Sequence, residues 1–141
     1  MTKKEHLLTI IEPIPGGDTT LDLAHETVAR GGTVTVVVFL TDRVERDIRH
    51  YAETAGISVR EAEAITVRRL RTQCQDRIGD VQLDITRRGS VSSDVVQYIT
   101  ADTTAVAIPA SLVSDKLVER IATYSGRPVI VAPYRVPELA A

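Results

Sequence analysis

Between Arg87 and Ser93 the chain reads Arg-Arg-Gly-Ser-Val-Ser-Ser, two cations, a glycine and three hydroxyls ahead of a helical pattern. That is the composition of an anion nest, where amides, hydroxyls and a helix N-terminus converge on negative charge. The candidate nest comprises Arg87, Arg88, Gly89 and Ser90. Successive residues of an extended chain point to opposite faces, so only one of the two arginines joins such a nest easily. The serines also suit helix caps.

Other chemistry is sparse. Gly16-Gly17 follows a strand pattern, but neither Gly-x-Gly-x-x-Gly nor Gly-Lys-Ser/Thr surrounds it. It reads as a turn leading to a helix capped by Asp18. Cys74 is the single cysteine, which excludes an internal disulfide and fits a reducing compartment. It falls on an apolar helical stripe with Leu70 and Ile78, the setting of a buried structural thiol. His6, His25 and His50 are scattered without metal-ligand spacing, and there is no Gly-x-Ser-x-Gly elbow. No catalytic residue and no metal are expected. A response-regulator receiver would want an Asp after the third strand and a Lys after the fifth, where Arg87-Arg88 and Ala132-Pro133-Tyr134 stand.

The elements that would position these residues alternate between strand and helix, which favours a parallel sheet with crossover helices. Leu7 to Ile11 is a short buried strand, followed by a helix carrying Leu21, Ala24 and Val28 and closed by Gly31-Gly32. Thr33 to Leu40 is rich in β-branched residues and apolar through its second half, as a central strand should be. A polar helical stretch runs from Asp42 to Ala55. Ser58 to Glu61 forms a capping box, opening a helix whose stripe is Ala64, Val67, Leu70, Cys74 and Ile78. Val81 to Thr86 alternates in polarity like an edge strand. Val91, Val95, Val96 and Ile99 mark the next helix, and Ala105 to Ile108 a buried strand. Val113, Leu117, Ile121 and Tyr124 mark the last helix, and Val129 to Ala132 the fifth strand.

With 141 residues and 43% hydrophobic content, the chain reads as one domain over residues 1–141, large enough for a core of its own. Its net charge of -2 argues against a general grip on nucleic acid or on an acidic membrane surface. Arg68, Arg69, Arg71 and Arg77 share their helix with Glu61, Glu63 and Asp76, so that helix reads as a solvated face. No signal peptide or membrane span is expected, and a cytoplasmic location fits.

The last thirty or so residues resemble the universal stress protein signature. There a Val-x-Glu-Arg-Ile/Val helix precedes a Pro-Val-Leu/Ile-Val-Val strand, here Leu117-Val-Glu-Arg-Ile121 and Pro128-Val-Ile-Val131. The resemblance extends to the first strand and to the glycine of Arg87-Arg-Gly-Ser. It implies a Rossmann-like α/β fold, a five-stranded parallel sheet of order 3-2-1-4-5 with helices on both faces, and a homodimer. In that order the fifth strand is an edge, yet Val129, Ile130, Val131 and Ala132 are apolar on both faces. Such an edge invites pairing with its own copy unless a helix or the tail covers it.

Many members of the family bind ATP through Gly-x2-Gly-x9-Gly-Ser/Thr between the fourth strand and the last helix. With the register set on Pro128, the final Gly-Ser position falls on Asp115-Lys116. Set on the fourth strand, the first two glycine positions fall on Pro109 and Leu112. Pro109 and Asp115 are six positions apart, about half the required span, and no glycine lies between Pro109 and Ser125. Ser111, Ser114 and Lys116 suit either a small anion or a helix cap beside a surface lysine. Glu12 stands where the family tends to have Asp, and is either a ribose acceptor at the switch point or a solvated strand end.

The reading is a universal stress protein-like, non-enzymatic regulatory module that does not bind ATP in the family's manner. No cofactor is expected, neither ATP nor AMP, and the partners are a second copy and another protein. One alternative is an adenine-nucleotide sensor with a remodelled phosphate loop and at most slow ATP hydrolysis, using a pocket lined by Glu12, Leu40 and Pro109. The other is an accessory domain docked on a larger assembly.

Overall fold

β-branched runs and capped amphipathic segments alternate along the chain, and each takes the form its pattern dictates. The computed structural model describes residues 4–87 and 91–132, with Ser92 described by its backbone alone. Strands β1 (His6–Ile11), β2 (Thr33–Leu40), β3 (Gln82–Arg87), β4 (Ala105–Pro109) and β5 (Val129–Ala132) form one sheet of order β3-β2-β1-β4-β5. All four pairings are parallel: Ile11 lies beside Val38, Leu8 beside Val106, Val36 beside Leu83 and Val106 beside Val129.

Helices α1 (Thr20–Ala29), α2 (Asp42–Ala55) and α3 (Val59–Ile78) cover one face, and α4 (Val91–Gln97) and α5 (Asp115–Ser125) the other. The strand alternation divides the core accordingly. Leu7, Ile11, Val36 and Val38 meet α1, α2 and α3, whereas Leu8, Ile10, Val37 and Phe39 meet α4 and α5. The expected α/β architecture and strand order are present.

Helix ends follow their caps. Ser58 Oγ accepts from the Glu61 amide at 3.1 Å, and Gly56 and Gly126 end α2 and α5 in the left-handed conformation. Asp18 does not cap α1. Its carboxylate accepts from Gln73 Nε2 at 2.7 Å, and Thr19 occupies the cap position without a capping hydrogen bond, its hydroxyl donating back to Gly16 O at 3.4 Å. Three stripes also differ from expectation. Thr27 rather than Val28 is buried on α1, and Tyr124 of α5 is 73% exposed. On α3 the buried line runs Ala62, Leu70, Cys74 and Ile78, leaving Ala64 exposed and Val67 half-buried. The twenty residues of α3 carry apolar side chains on two flanks, and only the Ala62, Leu70, Cys74 and Ile78 flank reaches the core.

Candidate functional site

β1 sends its chain to one side through α1 and β2, while β4 lies on its other side. This divergence is the topological switch point, where ligands of open α/β sheets bind beyond the strands' C-terminal ends. Glu12 leaves β1 there, with 0% exposure. The turn after it is tight: the Glu12 amide donates to Gly17 O at 3.0 Å and the Gly17 amide to Ile14 O at 2.9 Å. A Cβ on Gly17 would stand 2.0 Å from the Glu12 carbonyl oxygen, so only glycine permits this turn.

Two side chains, with three donors between them, close on the Glu12 carboxylate. Thr41 follows β2 and caps α2 through its hydroxyl oxygen, which also donates to Glu12 Oε2 at 2.5 Å. Arg43, in the first turn of α2, donates from Nε to Oε2 at 2.6 Å and from its terminal nitrogen to Oε1. The same nitrogen donates to the Ser111 carbonyl oxygen at 2.7 Å. One guanidinium thus joins the C-terminal ends of β1 and β4 to the start of α2 by a bidentate, charge-assisted contact. The hydrogen bond that Arg43 donates to Glu12 pushes the Arg43 pKa above its already high value, outweighing partial desolvation. Outside this latch lies a shallow groove of about 620 Å³ lined by Ile14, Pro15, Arg43, Asp47, Ala110 and Ser111.

The arrangement brings Glu12 and Ser111 together and leaves the other candidates apart. Leu40 is buried and lines a separate 300 Å³ pocket with Thr86 and Val91. Pro109 is buried in β4 beside Ala132. Ser111 contributes its carbonyl, while its hydroxyl is buried without a partner among the described residues. Ser114 is a cap, its Oγ accepting from the Leu117 amide at 3.1 Å. Lys116 is exposed in the first turn of α5. Arg87 turns toward α3 and pairs with Glu63, while Arg88, Gly89 and Ser90 lie outside the described residues. On β5, Val129 is half-buried, Ile130 39% exposed, Val131 44% exposed and Ala132 buried.

Arg43 is the residue that reading the sequence missed, because it sits in a polar helical stretch like any surface arginine. A signal exists nonetheless. A cation in a helix's first turn opposes the macrodipole, and a buried acid nearby removes that conflict. Elsewhere Cys74 is 2% exposed, and burial pushes its thiol pKa up. His6 is held by the hydroxyls of Thr33 and Thr35 at 2.7 and 2.9 Å. Among the described residues no group of His, Cys, Asp and Glu could hold a metal ion, and no helix is long and apolar enough to cross a membrane.

No family model and no curated protein matches the sequence. Solved structures do match the fold. The hypothetical protein PH0823 aligns over 92% of this chain and 96% of its own, with a TM-score of 0.53 at 8% identity. The hypothetical protein MJ0577, whose structure was solved for structure-based assignment of biochemical function, aligns over 96% and 99%, with a TM-score of 0.53 at 10% identity. A universal stress protein in complex with cAMP aligns over 95% and 100% at 10% identity, with a TM-score of 0.41, too loose a likeness to argue from. At these identities the first two likenesses show the fold: the five-stranded, Rossmann-like sheet inferred from the universal stress protein resemblance.

Proposed function

We propose that this chain is a universal stress protein-like regulatory module that works through protein contacts and does not bind ATP in that family's manner. The observation that carries this reading is the latch at the switch point. Glu12, the candidate ribose acceptor, has its carboxylate engaged by Arg43 and Thr41, and Arg43 also bridges to Ser111. A nucleoside entering there would have to break a bidentate ion pair whose carboxylate is buried. On the phosphate side the loop from β4 to α5 is short and glycine-free, and Ser114 is already used as a cap. The module acts without catalysis, and its self-association runs through β5. Isothermal titration calorimetry with ATP and with AMP tests the reading: no heat of binding at micromolar nucleotide is expected, and a micromolar Kd for either overturns it.

A further inference from the structure

The flank of α3 that faces away from the core forms, with the outer edge of β3, a groove of about 820 Å³. Its floor is apolar: Val59, Ala64, Val67 and Ile85. Val59 is 48% exposed, and Ala64 and Val67 are the two residues whose helical spacing marks them for burial but which the core does not take. Its rim is cationic. Arg60, Arg68 and Arg71 recur along this flank, and Arg87 stands at the end of β3 paired with Glu63. Four arginines against one glutamate is a local excess of positive charge on a chain whose net charge is -2. Among the described residues β3 is bonded on one side only, by β2, so its outer edge offers backbone groups to another strand.

We infer that this groove docks an extended, acidic segment of a partner protein, added as a strand to the outer edge of β3. Strand addition supplies main-chain hydrogen bonds, and alternate side chains then point at α3. On that side apolar residues meet Val67 and Ile85, and carboxylates meet Arg60, Arg68 and Arg71. The rim spans about 16 Å from Arg60 to Arg71 at the helical rise. A strand of about five residues covers that length. A second copy of the chain is a poor occupant, because two such rims would bring like charges together. The docking does not depend on whether the switch-point cleft holds a nucleotide.

The test uses a fluorescein-labelled octapeptide with the repeat Glu-Thr-Val-Thr, titrated with the full chain and followed by anisotropy. Saturable binding that weakens with added salt is expected. The Arg68→Glu, Arg71→Glu double variant and the Ala64→Asp variant should each weaken it by about tenfold or more. These positions lie on the groove flank, and circular dichroism checks that the variants fold. Absence of saturable binding overturns the inference. So does equal binding of a Lys-Thr-Val-Thr repeat, of a repeat in which proline replaces threonine, or of an oligothymidylate, since each removes charge, strand or peptide specificity.

Discussion

Arg43 and Glu12 form a bidentate ion pair in which the acid is fully buried and the base is 45% exposed. The asymmetry determines what the pair does. Three donors satisfy the buried carboxylate, whereas Arg43 keeps contact with water. The arginine therefore stands at the surface of the switch point, and the glutamate lies beneath it.

Removing one partner should cost more than the pair contributes. Arg43→Met strands a buried carboxylate and should lower unfolding free energy by about 2 kcal/mol in urea titrations. Glu12→Gln keeps the shape and should cost about 1 kcal/mol. The double variant should lose at least 1 kcal/mol less than the sum, on the scale of directly contacting residues. Strict additivity would mean that the two side chains are not coupled in solution.

Thr9 gives a prediction of the opposite sign. It sits in the middle of β1 between Val36 and Ala107, at 0% exposure, with its hydroxyl unbonded among the described residues. Thr9→Val replaces that hydroxyl by a methyl of similar size and removes the cost of burying it. The variant should be about 1 kcal/mol more stable in denaturant titrations. A loss of stability would show that the hydroxyl has a partner.

Cys74 should give the chain a pH dependence on the alkaline side. Burial raises its pKa in the folded state above the value in the unfolded chain. Below the unfolded value both states hold the proton and the contribution is intact. Above it the unfolded chain deprotonates first, and stability falls until the native thiol also titrates. Urea titrations from about pH 8 to pH 10 should show a decline that Cys74→Ala makes shallower. An equal slope in both proteins would place the thiol in contact with water.

How much of this was legible in advance depends on which physical signal each residue carries. The strands were, because runs such as Thr33 to Leu40 are β-branched and buried on both faces, and so was the Ser58 cap. The helix flanks were less so. Ala64 and Val67 share the 3.6-residue period with Leu70, and periodicity does not say which of two adjacent apolar flanks meets the sheet. Glu12 was marked by its position at the end of β1, but its partner was not. The contacts among Glu12, Arg43 and Ser111 span 31 and 68 residues of sequence, and only the strand order brings them together.

Among the described residues β5 is bonded on one side only, by β4, and its other edge yields the last prediction. Ile130 and Val131 point to opposite faces of the strand, and both are more than a third exposed. On α5, Val118 and Tyr124 are also exposed. A symmetric pairing of two β5 strands would bond the open edge and cover these side chains in both copies at once. Each substitution there acts twice, once per protomer. The Ile130→Glu, Val131→Glu double variant would place four carboxylates along the seam, desolvated and mutually repelling. Analytical ultracentrifugation of the natural chain should show a dimer, and the variant should dissociate with a Kd at least about tenfold weaker. A natural chain that sediments as a monomer at tens of micromolar would remove β5 as the self-association edge.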